Sequence, residues 1–325
     1  MYVNRSSGLS VIPEETFPTA ILQLEQELSQ RRHEGYFTAA GDARIYYEYF
    51  LAEKPVGALV FVHGLSEFTK KYYELAAWFL RQGYHVFLYD QRGHGRSHRD
   101  TARPELIHIN SFDELMADLD TYVETVVRRV TSLPLYLYAH SMGGAVGLLY
   151  LAKHGSKLTG AVITSPLIMP RINDLPAWPF LVGVSLGQVF AGKLAKFPLS
   201  SEFEPGKPYV PDPGDSANRV RHYRAYREQE PMYRSTPMTL GCAYQMLRLK
   251  RRLLRGGVAE AIQTPMLMLC AETDALVRTK YHGAFAKECA ACTYEVLTGA
   301  NHAFHTDRQE ILEQALVRIL SFLTE

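Results

Sequence analysis

One serine in this chain has the local setting of an enzyme nucleophile. Residues 135–138 have the apolar, β-rich composition of a short buried strand, residues 142 to about 154 predict a helix, and Ser141 lies in the turn between them. Ala139 and Gly143, two positions to either side, are small enough to let strand and helix approach closely. We therefore predict a nucleophile elbow with the motif A-x-S-x-G. The alternative is that Ser141 only caps and packs the helix.

A serine hydroxyl becomes a nucleophile when a base takes its proton and an acid orients that base. The candidate acid follows a strand predicted over residues 266–270, in a turn that contains both Glu272 and Asp274. We prefer Asp274 because a turn directly before the apolar pair Leu276-Val277 suits aspartate. Glu272 remains its rival for the same role.

The candidate base follows the next strand, which is predicted over residues 293–297. His302 lies in the turn after this strand, whereas His305 lies closer to the final helix and could cap it or line a pocket. The chain order serine, acid, histidine places the three groups at the carboxyl edge of one sheet. The sequence thus predicts Ser141, Asp274 and His302 as the catalytic residues.

An attacked carbonyl develops negative charge, so the site also needs N–H donors fixed in advance. The backbone N–H of Met142 comes directly after the nucleophile, at the positive end of a helix. The loop after a strand over residues 58–62 contains His63, Gly64 and Leu65. Gly64 permits a sharp turn, and we expect the Leu65 N–H to be the second donor. Taken alone, His63-Gly64 is also compatible with an ordinary strand-ending turn.

Strands and helices alternate along most of the chain, which predicts an α/β fold with a mostly parallel central sheet and helices on both faces. Ser111 and Glu114 form a capping-box pattern before an amphipathic helix, and Thr306 and Gln309 repeat it before the final helix. Further strands are predicted over residues 43–51, 84–89 and 161–164, and further helices over 19–32, 72–81, 281–288 and 307–323.

The alternation lapses after Pro166 and resumes near residue 261, in a stretch rich in Pro, Gly, Tyr and Arg. We therefore predict three parts. A helical extension over residues 1–35 packs on the outside, a catalytic core consists of residues 36–166 and 261–325, and an inserted, mainly helical cap covers 167–260.

The composition is that of a globular protein with a large core. Of 325 residues, 47% are hydrophobic and 21% are charged, which excludes a disordered chain. The contents of Gly, Pro and Cys are ordinary and no short repeat occurs, which excludes collagen, coiled coils and disulfide scaffolds. A net charge of +1 argues against nucleic-acid binding as the main function.

The sequence also bears on location. Residues 1–10 lack the basic and apolar segments of a secretory signal, and four cysteines are too few for a disulfide framework. Cys289 and Cys292 have C-x-x-C spacing, but no second pair accompanies them. The uncharged run over residues 175–192 contains prolines and glycines, so we expect a surface that touches lipid or covers a pocket, and not a membrane span. The expected location is cytoplasmic.

Together these segments resemble the α/β-hydrolase superfamily, and within it the branch of monoacylglycerol lipases and bacterial lysophospholipases, which are serine aminopeptidase-like hydrolases. The resemblance covers about residues 30–323 and is weakest over 168–215. Its motifs are HGLSE (63–67), YDQRGHGRS (89–97), SFDELMADLDTYV (111–123), AHSMGGA (139–145), TSPL (164–167), AETDALV (271–277) and GANHAFH (299–305). The alanine at position 139 also occurs in the bacterial lysophospholipases.

The resemblance implies Ser141 as nucleophile, Asp274 as acid, His302 as base, and Leu65 and Met142 as oxyanion donors. It also implies that the insertion forms a cap over an apolar acyl pocket. Where the family often has Asp-Pro in the cap, this chain has Glu-Pro at positions 230 and 231.

Residues 219–255 of the predicted cap carry ten basic and two acidic side chains, a local charge of +8. This charge could meet an anionic membrane or the phosphate of a lysophospholipid, and it is equally compatible with a solvated surface. Interleaved tyrosines would suit single-stranded nucleic acid, an alternative that we disfavour beside a complete hydrolase site. The candidate substrate or cap residues are Trp178, Phe180, Arg221, Arg224 and Tyr244.

The sequence predicts a serine carboxylic-ester hydrolase that releases a fatty acid from a lysophospholipid or a monoacylglycerol through an acyl-enzyme intermediate. This reaction needs no metal or organic cofactor. The alternatives are a serine aminopeptidase, which would need acidic groups in the cap to hold a substrate amine, a thioesterase or acyltransferase, and a non-catalytic binding protein. We expect a lipid ester as substrate, peripheral contact with the anionic inner face of the cytoplasmic membrane, and no nucleic-acid partner. The oligomeric state is left open.

Overall fold

A computed structural model describes residues 10–171, 177–208 and 210–325. Two expectations from the sequence concern residues outside this part. One is the lack of a secretory signal, which involves residues 1–9, and the other is the uncharged run, which includes residues 175 and 176. One sheet contains eight strands of the described chain: β1 His33–Ala39, β2 Ala43–Phe50, β3 Gly57–Val62, β4 Tyr84–Tyr89, β5 Leu135–His140, β6 Gly160–Thr164, β7 Met266–Ala271 and β8 Cys292–Leu297. Their order across the sheet is β1-β2-β4-β3-β5-β6-β7-β8.

Most neighbouring strands are parallel, as the sequence predicts. Only β2 departs from this direction, because it runs antiparallel to both β1 and β4. All five other neighbouring pairs run parallel. The central strand β3 is buried at every position, with Val60 in the core on one face and Phe61 in the core on the other. A parallel strand covered on both faces is apolar throughout, which explains its uninterrupted hydrophobic sequence.

Helices cover both faces of the sheet, which confirms the predicted fold class. The helices are α1 Phe17–Arg31, α2 Tyr73–Arg81, α3 Phe112–Tyr122, α4 Arg128–Val130, α5 Met142–His154, α6 Ala177–Ala191, α7 Ala217–Gln229, α8 Leu240–Arg255, α9 Val258–Ala261, α10 Lys280–Glu288 and α11 Gln309–Thr324. Residues of α3, α5, α8 and α10 join the core on one face, and residues of α1, α2 and α11 join the core on the other.

The first strand is absent from the sequence prediction. β1 pairs along its whole length with β2 in a hairpin, with Phe37 opposite Ile45. It is an edge strand whose first residues are exposed, and only Phe37 and Ala39 are buried. Two buried positions are too few to show a clear alternation of apolar and polar residues in the sequence. Because β1 begins at His33, it crosses the boundary predicted between residues 35 and 36.

The two predicted capping boxes have different outcomes. Ser111 caps α3, and its hydroxyl accepts a hydrogen bond from the Glu114 N–H at 3.1 Å. The prediction for the final helix is wrong, because α11 begins at Gln309 and Thr306 lies in a separate 3-10 turn. There the Thr306 hydroxyl donates to the Ala303 carbonyl at 2.9 Å, so it caps nothing.

The predicted cap, residues 167–260, supplies α6, α7, α8 and α9. The N-terminal segment and α2 hold α7 in place through buried charges. Arg219 of α7 is fully buried and binds Glu74 of α2, with Nε 2.8 Å and Nη2 2.6 Å from its two carboxylate oxygens. Its Nη2 also donates to the Ile12 carbonyl, and His222 lies 2.6 Å from Glu25 of α1. Arg219 is therefore a buried, structural cation. It was counted among the ten basic side chains of residues 219–255 that could meet an anionic membrane or phosphate, and this part of the expectation is wrong.

Residues 177–191 of the uncharged run form α6, a helix of 15 residues within the predicted cap. No helix within the described residues is both long and apolar enough to span a bilayer.

Candidate active site

Ser141 occupies a strained turn between β5 and α5. Its backbone has φ +53° and ψ −114°, in the positive-φ region that a residue with a side chain rarely adopts. The neighbouring segment holds this conformation, since the Ser141 N–H donates to the Thr164 carbonyl at 2.9 Å and its own carbonyl accepts from the Leu167 N–H at 2.8 Å. Strain of this kind at one buried residue is typical of functional sites.

The turn is possible because the residues around it are small. A β carbon at Gly143 would lie far inside contact distance of the Val62 carbonyl oxygen on β3. On the other side of the serine, the Ala139 methyl fits because the helix residue facing it is Gly147. A β carbon on Gly147 would lie 2.9 Å from that methyl group. The alanine in the A-x-S-x-G motif is thus compensated by a glycine one turn further along the helix.

The structure brings Ser141, Asp274 and His302 together. His302 Nε2 lies 2.8 Å from Ser141 Oγ, and His302 Nδ1 lies 2.6 Å from Asp274 Oδ2. Because a carboxylate only accepts, Nδ1 carries the imidazole proton and Nε2 is left to accept from the serine hydroxyl. This is the hydrogen-bond chain that general-base activation of a serine requires.

The Asp274 carboxylate has a fixed environment in the turn after β7. Its Oδ1 accepts hydrogen bonds from the N–H groups of Leu276 and Val277 at 2.8 and 2.9 Å. Burial alone would raise the pKa of Asp274, but the hydrogen bond and charge of His302, together with the two N–H groups, hold this pKa below its ordinary value. Asp274 is therefore ionised at neutral pH. The rival Glu272 is exposed on the same turn.

The loop after β3 places Leu65 near the end of the central strand. His63 fixes the start of this loop, since its Nε2 accepts from the Gln91 N–H at 2.9 Å and its Nδ1 lies 2.7 Å from the Gly64 carbonyl. Burial lowers the pKa of His63, so the ring is neutral and structural. Met142, directly after the nucleophile, is the first residue of α5, where N–H groups have no intrahelical acceptor.

A buried carboxylate, Glu67, ties this loop to the histidine loop. Its Oε2 accepts from the Gly64 N–H and from the Tyr72 hydroxyl, both at 2.6 Å. Its Oε1 accepts from Lys71 Nζ at 2.8 Å and lies 3.0 Å from His305 Nε2. Burial would raise the pKa of Glu67, but Lys71 and His305 hold it well below its ordinary value. Glu67 is thus a charged centre that fixes the backbone beside Leu65.

Glu67, His140 and His305 also form a buried group with ligand atoms within 4.8 Å of one another. Their surroundings do not suit a metal ion. The ammonium group of Lys71 already contacts Glu67 Oε1, and His140 Nδ1 lies 3.0 Å from the Thr164 hydroxyl. A divalent cation at this point would meet the charge of the lysine, so the group is a hydrogen-bond network.

A pocket of about 610 Å³ borders the candidate triad at His302, and we call it the His302 pocket. Its lining comes from the loop after β3, the turn that holds Asp274, the histidine loop, and the cap around α7. The charged side chains of the lining are Lys71, Arg171, Asp212, Asp215, Arg224, Arg227 and Asp274. The pocket beside the histidine thus combines charged side chains with apolar ones such as Val220 and Leu276. The resemblance implies an apolar acyl pocket.

The predicted cap residues are spread over three helices. Arg224 lines the His302 pocket. Arg221, on the same helix, is exposed and donates to Asn218 Oδ1 at 3.0 Å. Trp178 and Phe180 lie on α6, where the Trp178 side chain is 69% exposed. Tyr244 lies on α8 and accepts from Arg248 Nη1 at 3.3 Å.

Sequence reasoning did not assign roles to Glu67, Lys71 or Arg227. Glu67 is the last residue of the HGLSE motif and Lys71 follows four residues later, a spacing that favours an ion pair on a helix. That spacing is common, and nothing in it places the pair beside His305. Arg227 was counted in the basic cap, with no sign that it faces the pocket.

The sequence belongs to a known hydrolase family. The family model described as "Serine aminopeptidase, S33" matches residues 53–309, which is most of the chain, so the chain belongs to this family. The resemblance to serine aminopeptidase-like hydrolases of the α/β-hydrolase superfamily is thereby confirmed.

Named relatives fall in the lipid-hydrolase branch. Lysophospholipase L2 of Escherichia coli is 28% identical over 303 residues, which are 90% of this chain and 83% of that protein. A monoacylglycerol lipase of Mycolicibacterium smegmatis is 27% identical over 251 residues, 77% of this chain and 82% of that protein. Among solved structures, a soluble variant of monoglyceride lipase from Saccharomyces cerevisiae matches with a TM-score of 0.72 at 20% identity, covering 89% of this chain and 94% of that one. This likeness establishes the α/β-hydrolase fold.

The packing at the serine turn yields a prediction. Gly147→Ala should lower the free energy of unfolding by about 1–3 kcal/mol and slow ester hydrolysis, because the new methyl group collides with Ala139. Adding Ala139→Gly removes that methyl, so the double variant should recover most of the loss. Ala139→Gly alone should cost about 0.5–1 kcal/mol. Thermal unfolding and initial rates on a nitrophenyl ester measure both effects. A double variant no more stable than Gly147→Ala would show that this contact does not limit the approach of strand and helix.

Proposed function

We propose that the protein is a serine ester hydrolase that releases a fatty acid from single-chain lipid esters. The observation that carries the proposal is the chain of hydrogen bonds from Ser141 to His302 at 2.8 Å and from His302 to Asp274 at 2.6 Å. The named relatives, a lysophospholipase and a monoacylglycerol lipase, support a lipid ester as the substrate class.

In the proposed mechanism, Ser141 Oγ attacks the ester carbonyl while His302 Nε2 takes its proton. Asp274 keeps the imidazole oriented and stabilises its positive charge. The N–H groups of Leu65 and Met142 receive the negative charge of the tetrahedral intermediate. His302 then protonates the leaving alcohol, and the same nitrogen activates the water that frees the fatty acid.

The division into an N-terminal extension, a core and a cap remains part of the proposal. The buried pair of Arg219 and Glu74 supports it, because it shows one helix of the insertion fastened to the core at a defined point. The family resemblance suggests that the acyl chain lies beneath this cap.

An aminopeptidase is the second candidate, because the family description names that activity. The His302 pocket contains two carboxylates from the cap, Asp212 and Asp215, that could hold a substrate amine. Asp215 already accepts a hydrogen bond from Asn301 Nδ2 at 2.9 Å, and burial raises its pKa. Four basic side chains line the same pocket, which favours an anionic over a cationic substrate group.

A substrate panel tests this function. The purified protein should hydrolyse oleoyl lysophospholipids, monooleoylglycerol and nitrophenyl esters, and should be slower on amino-acid nitroanilides by about a hundredfold or more. Ser141→Ala should lower the rate of ester hydrolysis by about 10⁴-fold or more, and its circular dichroism spectrum should show that the fold is intact. Faster turnover of the amides than of the esters would favour the aminopeptidase, and an unchanged rate in Ser141→Ala would exclude this serine as the nucleophile.

We further propose that α6 of the cap docks onto the anionic inner face of the cytoplasmic membrane. The helix exposes large apolar side chains: Trp178, Val182, Leu186, Val189 and Phe190, the last of them 86% exposed. It packs beside α8, whose Arg248, Arg251 and Arg255 are exposed. Apolar side chains that enter the interface beside arginines suit an anionic lipid surface. The four cysteines, all free thiols, fit a reducing compartment.

Vesicle binding tests the membrane proposal. The double variant Val189→Glu, Phe190→Glu should bind phosphatidylglycerol vesicles at least about tenfold more weakly than the wild type, because two charges enter the apolar face. Leu22→Glu is the matched control, since Leu22 is 59% exposed but lies on α1. Sedimentation measures the binding, and hydrolysis of a soluble ester should stay unchanged. Equal binding of wild type and double variant would contradict docking through α6.

A further inference from the structure

The His302 pocket contains more positive charge than ester hydrolysis itself requires. Lys71 reaches it from the segment before α2, and Arg224 and Arg227 reach it from α7 of the cap. These residues come from distant parts of the chain. The pocket also includes Ser66, which directly follows the candidate oxyanion donor, and His302 itself. The cations therefore line a space that borders His302 and Asp274 of the candidate triad.

Arg224 and Arg227 lie one turn apart on α7, and their guanidinium groups are both stacked on the ring of Phe203. The distances from the guanidinium carbons to the ring centroid are 4.7 Å for Arg224 and 4.3 Å for Arg227. The two cations repel each other, since the charge of Arg224 lowers the pKa of Arg227. An anion placed between or beside them stabilises such a like-charge pair.

The two arginines differ in their protein partners. Arg224 is already engaged, with its Nη2 3.1 Å from Glu228 and donating to the carbonyls of Glu204 and Lys207. Arg227 donates from Nη2 to the Thr236 hydroxyl, and its buried Nε has no acceptor among the residues that the structure describes. Burial and the charge of Arg224 lower the pKa of Arg227 to about 10, still well above neutrality. Arg227 is thus a charged, partly buried side chain that feels the charge of Glu228 but has no ion pair with a carboxylate of the described residues.

Lys71, in contrast to Arg227, is paired with a carboxylate. Its Nζ is paired with Glu67 at 2.8 Å, and its side chain is still 18% exposed. The acidic lining residues Asp274 and Asp215 are hydrogen-bonded to His302 and Asn301 respectively. Asp274 and Asp215 are therefore engaged with the loop that carries the histidine, and the third lining aspartate, Asp212, is exposed to solvent.

We propose that Arg227, together with Arg224 and Lys71, forms a subsite for the phosphate group of the leaving alcohol, so that the protein prefers phosphate-bearing glycerol esters over neutral glycerides. The inference rests on the proposed function, because it names the headgroup of the same ester substrate. A phosphodiester beside the triad receives charge-assisted hydrogen bonds from guanidinium groups, whereas the hydroxyl groups of a monoacylglycerol leave the charge of Arg227 uncompensated.

Soluble substrates separate this subsite from membrane attraction. Hexanoyl lysophosphatidylcholine, hexanoyl lysophosphatidylglycerol and monohexanoylglycerol share one acyl chain and are used as monomers. The wild type should show a kcat/KM about tenfold or more higher on the two phosphate-bearing esters than on the glyceride. Arg227→Gln should remove most of this preference, mainly through KM, while rates on the glyceride and on nitrophenyl butyrate stay within about twofold. Arg227→Lys should retain part of it, and the control Arg221→Gln, on the exposed side of α7, should retain all of it.

Inhibition of the wild type provides a second measurement, which does not depend on whether a variant folds. Glycerol phosphate should inhibit hydrolysis of nitrophenyl butyrate competitively, and glycerol should not. Equal kcat/KM for phosphate-bearing and neutral esters in the wild type would overturn the proposal, as would an equal loss on every substrate in Arg227→Gln. A third outcome would also overturn the proposal: inorganic phosphate inhibits as strongly as glycerol phosphate, and the wild type shows no preference for phosphate-bearing esters. That result would indicate a site for free phosphate. Hydrolysis of nitrophenyl butyrate that is lost in Ser141→Ala reports on the proposed function separately.

Discussion

The approach of α5 to the end of β3 is the constraint on which the active-site geometry depends. At Gly143 the helix passes so close to the Val62 carbonyl that no side chain fits, and Ser141 is forced to φ +53° to make the turn. The same approach lifts the serine hydroxyl to the carboxyl edge of the sheet, 2.8 Å from His302. The helix begins at Met142, whose N–H is one of the two proposed oxyanion donors. The proposed nucleophile and one of its proposed oxyanion donors are therefore positioned by the same turn.

The surroundings of that turn are held by charged side chains that are buried or largely buried. Glu67 accepts hydrogen bonds from the Gly64 backbone, Tyr72 and Lys71 and contacts His305, so it joins the loop after β3 to the loop that carries the histidine. A second buried pair, Arg219 and Glu74, fastens α7 to α2. Because an unpaired buried charge is far more costly than a paired one, each of these contacts specifies one position for the segments that it joins.

The candidate triad could be proposed from sequence because each member lies in a turn that follows a strand. A short apolar run followed by a turn is a local signal, and Ser141, Asp274 and His302 each stand in such a turn. The predicted fold followed from the same alternation. Arg219 was misplaced because its partner Glu74 is 145 residues away in the chain, and pairing at such a distance leaves no local trace. β1 was missed because an edge strand buries too few residues to show a clear period. Thr306 failed as a cap because the turn after His302 is shaped by contacts with a distant segment, among them the Ser216 N–H, which donates to the Thr306 carbonyl at 2.8 Å.

The central claim is that Ser141 is the nucleophile of an acyl-enzyme mechanism. The most direct measurement is the intact mass and peptide map of the protein after reaction with a fluorophosphonate probe. The account predicts one adduct per chain, located on the peptide that contains Ser141, and no adduct in Ser141→Ala. Labelling of Ser141→Ala to the same extent as the wild type, or an adduct on another residue, would contradict it.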